Sequence, residues 1–134
     1  MAYTIDTSVW IAALLKDEPH NKQAYDFLIA VIEKGDGIII PVTVYIEIAM
    51  ALARRGENQL VDRVVEFLLK IPTLQFVELT YPRMIDVVTF ATPLKLRGMD
   101  AVVVAVAHEY SSTLVTLDQE LRHKAGSSVE VGEL

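Results

Sequence analysis

The sequence predicts a single three-layer α/β/α domain built on a central, mainly parallel sheet of about five strands. Three observations predict it. Short β-branched apolar runs alternate with longer helical ones along all 134 residues. The strand runs are apolar throughout instead of alternating, as in strands covered on both faces. No repeat, low-complexity run or linker divides residues 1–134, a length suited to one domain.

Tyr3-Thr4-Ile5 reads as a short buried strand. Residues 9–15 are apolar almost all round, which marks a buried helix. Lys16-Asp17-Glu18-Pro19 is a solvated turn. Over 21–34, Ala24, Tyr25, Leu28, Val31 and Ile32 share one helical face, and Gly35 ends the helix. Residues 37–40 form a second strand, stopped by Pro41. Helices follow over 43–55, before Gly56, and over 58–70, with Val64 and Leu68 turned inward. Residues 75–79 make a third strand. Thr80 is suited to cap the next helix, which Pro93 either breaks or restarts. A compact helix spans 100–110, with Ala101 to Ala107 uninterruptedly apolar. A fourth strand (113–116), a short helix (119–124) and an edge strand (129–131) complete the reading.

Composition narrows the function. With 52% hydrophobic residues the chain is not disordered, and without cysteine it has no disulfide, thiolate nucleophile or Cys-ligated zinc. The start, Met1-Ala2-Tyr3-Thr4-Ile5-Asp6, lacks the marks of a secretory signal, and no apolar run approaches a membrane span. A cytoplasmic protein is expected. The net charge of −6 and pI of 5.0 exclude nucleic-acid binding through bulk positive charge. Any such contact needs local cations or bound metal.

Right-handed crossovers place all strand C-termini at one end of a parallel sheet, where ligands bind. Asp6 follows the first strand and Asp118 the fourth, so the two open into one crevice if those strands are neighbours. Asp100 lies at a helix N-terminus, and Glu47 sits in a helix otherwise uncharged from Val44 to Ala53. Each aspartate alone has an ordinary reading, as a helix cap or turn residue. Glu47 has none nearby: Thr43, Val44, Met50 and Ala51 offer no basic partner. Two carboxylates ~5 Å apart repel by roughly 3 kcal/mol at an effective dielectric of ~20. Oxygen-only ligands favour a hard cation, Mg²⁺ or Mn²⁺. Such a centre suits phosphodiester hydrolysis.

Four segments carry a resemblance. Ile5-Asp6-Thr7-Ser8-Val9-Trp10-Ile11, Val44-Tyr45-Ile46-Glu47-Ile48-Ala49, Met99-Asp100-Ala101-Val102-Val103-Val104-Ala105-Val106-Ala107 and Leu114-Val115-Thr116-Leu117-Asp118 resemble, in order and spacing, the PIN-domain nucleases. They are most similar to the toxin ribonucleases of VapBC-type toxin–antitoxin pairs. The resemblance implies a five-stranded parallel sheet, endoribonuclease activity dependent on Mg²⁺ or Mn²⁺, products with 5′-phosphate ends and a cognate antitoxin. It places the metal-binding acids at Asp6, Glu47, Asp100 and Asp118. Thr116 supplies the hydroxyl beside the last acid, and Thr7 or Ser8 the polar residue after the first. The acid that usually follows the last aspartate is not evident, and Glu120 is expected to face away.

Arg97, three residues before Asp100, is the preferred contact for the RNA substrate. His20, His108 and His123 are read as surface residues and Trp10 as core. A phosphoacceptor or non-catalytic binding domain is the rival class. The first lacks the paired acids after strand one, since Thr7-Ser8 stand there, and four intact carboxylates speak against the second. The apolar fraction, slightly above the usual ~45–50%, predicts a homodimer through a face of 21–34 or 58–70.

Overall fold

The computed structural model describes residues 1–134. Its elements are β1 (Ala2–Ile5), α1 (Thr7–Leu14), α2 (Asn21–Lys34), β2 (Gly37–Pro41), α3 (Val42–Arg54), α4 (Asn58–Leu69), β3 (Leu74–Val77), α5 (Tyr81–Ala91), α6 (Gly98–Glu109), β4 (Thr113–Val115) and α7 (Gln119–Ala125). All strand pairs are parallel, in the order β3-β2-β1-β4. The predicted α/β/α architecture is therefore present. No helix is long and apolar enough to cross a membrane.

Strand order fixes where a ligand can bind. From β1 the chain steps outward to β2 and β3, then returns to β4 on the other side of β1. Tyr3 pairs with both Ile38 and Thr113, so β1 is the strand at which the winding reverses. The C-terminal ends of β1 and β4 flank that switch point. Right-handed crossovers put α1 to α4 on one face and α5 and α6 on the other. Burial follows: Ile38 and Ile40 join the main core with Val44, Ile48, Leu52 and Leu68, while Ile39 points to a second core with Val77 and Val87.

Helix α6 belongs to both cores. Val103, Val104 and Ala107 enter the main one, and Val102, Ala105 and Val106 the other. This explains the unbroken apolar run that the sequence displays there: a helix packed on several sides has no solvent face to make polar.

Four details refine the sequence reading. The sheet has four full strands where about five are expected. Segment 129–131 adds one parallel bridge, Leu114 to Val131, at the free edge of β4. The Leu114 amide donates to the Glu130 carbonyl, and the Gly132 amide to the Leu114 carbonyl, both at 2.8 Å. The Gly132 carbonyl then accepts from Arg122 Nη1, so the ladder stops. A Cβ at Gly132 would lie 2.9 Å from Thr113 Cγ2, so a larger residue there would have to push the Thr113 side chain aside. Second, β3 ends at Val77, before Thr80 caps α5 by accepting from the Arg83 amide. Third, Pro93 breaks α5: a 3₁₀ turn over Thr92–Leu94 follows, ended by Lys95 at φ 55°. Fourth, α6 starts at Gly98, two residues earlier than expected.

Trp10 is core, as predicted, at 1% exposure, and its indole N–H donates to the Ile5 carbonyl at 3.1 Å. It thus braces the β1–α1 junction. Replacement by Ala should cost about 3–5 kcal/mol. Urea denaturation should show a lower midpoint; an unchanged midpoint would remove Trp10 from the load path of the fold.

Candidate active site

Asp6 is the first residue beyond β1 and is only 6% exposed. Its amide donates to the Val115 carbonyl at 2.9 Å, tying it to the end of β4. It occupies the N-cap position of α1, yet its side chain makes no capping bond. Oδ2 instead accepts from Ser8 Oγ at 2.8 Å and Thr116 Oγ1 at 2.9 Å. Both hydroxyls are themselves fixed. Ser8 Oγ accepts from the Leu117 amide and Thr116 Oγ1 from the Asp118 amide, each at 3.0 Å. A hydroxyl with its donor spent on Asp6 and its acceptor filled by backbone has little freedom to turn.

Thr7 and Ser8 divide their work. Ser8 serves Asp6, while Thr7 Oγ1 donates to Glu47 Oε1 at 2.9 Å, joining α1 to α3. Glu47 is half-buried and no cation pairs with it, as the absence of a basic neighbour in the helix suggested. Burial pushes its carboxyl above the ordinary glutamate value. The Thr7 hydroxyl opposes the rise and the charge of Asp6 adds to it.

Asp100 is not the N-cap of α6. Arg97 holds that position without a side-chain cap bond, and Asp100 stands in the first helical turn. Its carboxyl is pushed up to about 6, first by burial and then by the charges of Asp6, Asp118 and Glu47; Arg97 opposes the rise. Asp100 thus feels the charges of the other three carboxylates in addition to its own burial. Asp118 does cap its helix: Oδ1 accepts from the Glu120 and Leu121 amides at 3.0 and 3.1 Å. Capping occupies one oxygen and leaves Oδ2 to the crevice.

The donor set is all oxygen and carries clustered negative charge, which suits a hard divalent cation. Yet no three acidic side chains stand close enough together to form a finished ligand group. Thr7, Ser8 and Thr116 all contact the carboxylates, and Arg97 lines the crevice beside Asp100 and Asp118.

Two residues of this crevice were missed. Glu120, expected to face away, lines it with Asp100 and Asp118, and so does Lys124. Their i,i+4 spacing after a capping aspartate was the available signal. None of the three histidines lines it: His108 stacks on Phe90 at 4.4 Å, and His20 pairs with Gln23. An apolar cavity of about 300 Å³ lies between α5 and α6 and has no carboxylate in its wall.

Fold and site together define a parallel α/β domain with a carboxylate-lined crevice at its topological switch point. The chain belongs to the PIN-domain family, whose model matches residues 3–127. Among solved structures it is similar to the VapC20 toxin of Mycobacterium tuberculosis, with 18% identity and a TM-score of 0.78 over 98% of this chain and 99% of that one. It is similar to VapBC2 from Rickettsia felis, with 17% identity and a TM-score of 0.75 over 98% of each chain. It also resembles FitAcB from Neisseria gonorrhoeae, with 18% identity and a TM-score of 0.71 over 98% and 96%. No protein with a curated function matches the sequence.

The Asp100 shift has a sign that can be tested. An acid with a raised folded pKa holds its proton more tightly in the native state. Its ionisation therefore costs stability as pH rises from 3.8 through about 6, and the full cost stands above that. Asp100→Asn should stabilise the metal-free protein at pH 7.5 by roughly 1–2 kcal/mol, after discounting the shift for solvent contact. The gain should vanish below about pH 4. Paired denaturation curves in EDTA across pH check this, and a gain that persists in acid would contradict the assigned cause.

Proposed function

We propose that this chain is a metal-dependent endoribonuclease and the toxin of a toxin–antitoxin pair. The observation that carries the reading is the gathering of Asp6, Glu47, Asp100 and Asp118 at a sheet's switch point, where the charges of the other three bear on Asp100. Membership of the PIN family supports it. One similar structure is described as a sarcin–ricin-loop-cleaving toxin and another as a toxin–antitoxin complex.

The four carboxylates would hold Mg²⁺ or Mn²⁺, which supplies charge stabilisation and an activated water for attack on phosphorus. The chain's own residues prepare that chemistry. Ser8 and Thr116 orient Asp6, and Thr7 orients Glu47 through its Oε1, leaving one oxygen of each carboxylate without a hydroxyl partner. Capping by Asp118 fixes its direction in the same way. Asp100, pushed up to about 6 by burial and its acidic neighbours, is ionised at neutral pH at a cost to stability that a bound cation would offset. Hydrolysis breaks the bond from phosphorus to the 3′-oxygen, leaving a 5′-phosphate and a 3′-hydroxyl.

Two apolar surfaces stand ready for protein partners. One follows α5 and the start of α6, with Tyr81, Met84, Ile85, Val88 and Met99 exposed. The other spans α2, α3 and α4, with Tyr25, Ile46, Met50 and Phe67 exposed. Two surfaces suit two partners, an antitoxin and a second copy of the chain. The α5 surface is one that the hydrophobic patterning of α2 and α4 does not reveal.

The test is cleavage of RNA by the purified chain. Cleavage should require Mg²⁺ or Mn²⁺ and stop in EDTA, and either ion should raise the melting temperature. Asp100→Asn should fold, lose the metal-induced shift and lose cleavage by about a hundredfold or more. A folded Asp100→Asn protein that cuts RNA like wild type would sink the reading.

A further inference from the structure

A small cavity of about 110 Å³ opens beside the carboxylates, lined by Arg97, Asp100, Asp118, Glu120 and Lys124. Its volume equals that of about three to four waters. It has room for a phosphate group.

The two cations in its wall are held differently. Arg97 is exposed and makes no ion pair, and its charge reaches both Asp100 and Glu120. Lys124 is anchored. Its Nζ lies 2.8 Å from Glu120 Oε1 and 3.2 Å from the Lys95 carbonyl. The second contact ties the last turn of α7 to the loop that carries Arg97. In that loop Lys95 is left-handed, at φ 55°, so the loop bends back toward α7. Helix α7 and the N-terminus of α6 thereby present two cations to one pocket.

Electrostatics gives this placement a use. The chain carries a net charge of −6, and the crevice adds four carboxylates at the point where a polyanion must enter. Arg55, Arg83 and Arg122 are already tied to Glu18, Glu109 and Glu133. A phosphate next to the carboxylates needs cations beside them, and this pocket provides two.

Building on the ribonuclease reading, we propose that Arg97 and Lys124 form a two-cation clamp for the RNA phosphate next to the one that is cut. Glu120 is the resident counter-anion: it holds Lys124 in position and yields it when the phosphate arrives. Lys124 is thus a substrate-positioning residue, and Glu120 opposes binding instead of assisting catalysis.

Fluorescence anisotropy of a short labelled RNA of randomised sequence, titrated with the full chain in EDTA at several KCl concentrations, tests the clamp. Arg97→Ala and Lys124→Ala should each weaken binding about tenfold at low salt. Each should lower the slope of log affinity against log salt by about 0.7, the loss of one single-strand phosphate contact. Lys124→Arg should restore the slope, and Glu120→Gln should tighten binding. A Lys124→Ala protein with a lower melting temperature but an unchanged slope would reduce Lys124 to a structural tie and overturn the clamp. So would unchanged slopes in Arg97→Ala, weaker binding by Glu120→Gln, or no RNA binding by wild type. Cleavage in Mn²⁺, measured alongside, separates the two ideas. Cleavage with unchanged slopes removes the clamp and keeps the nuclease, whereas altered slopes without cleavage do the reverse.

Discussion

A buried carboxylate with no cation in contact, Asp6, is the constraint on which the rest of the site depends. At 6% exposure it cannot rely on water, and an unsatisfied buried charge is costly. Two hydroxyls, one from α1 and one from the end of β4, meet that need. Satisfying Asp6 therefore joins the two strands that flank the switch point. The same hydroxyls accept backbone amides of 117 and 118, so the loop bearing Asp118 is fixed by the group that fixes Asp6.

Packing holds the opposing charges in place. Asp100 rides on α6, whose buried run from Val102 to Ala107 is gripped by both cores. Glu47 rides on α3, anchored by Val44, Ile48 and Leu52. Neither helix can turn its acid away without unpacking apolar side chains worth roughly 1.5–3 kcal/mol each. The core thus stabilises an arrangement that electrostatics alone would disperse, and the carboxyl of Asp100 is pushed up by its burial first and by the neighbouring charges second. Stored repulsion of this kind is characteristic of functional sites.

Charge is sorted as well as concentrated. The capping role of Asp118 turns α7 so that Glu120 and Lys124 border the same crevice, and Lys124 then reaches the loop before α6. An acidic protein keeps two cations at the one place where a polyanion would need them. Apolar exposure is gathered elsewhere, on α5 and on the α2–α4 side, which leaves the crevice entrance free.

The architecture was legible in the sequence because it rests on local rules. Apolar runs over 3–5, 37–40 and 113–116 mark strands covered on both faces, and the periodicity of 21–34 marks a helix with one buried side. Asp6 and Asp118 were legible from their places after strands, and Glu47 from having no basic neighbour one turn away. What depends on how elements meet was not legible. Spacing could not say that Thr7 would serve Glu47 while Ser8 served Asp6, because those partners stand 40 and 2 residues away along the chain. The start of α6 was misplaced by two residues, which left a helix cap open as an ordinary reading of Asp100 beside the acidic one. The edge strand at 129–131 shrank to one bridge because Arg122 takes the next carbonyl, a competition between side chain and ladder. Glu120 and Lys124 joined the site only through the angle at which α7 leaves β4. Period and propensity act within a segment, whereas the direction of a charge depends on packing between segments, and only the tertiary structure sets that.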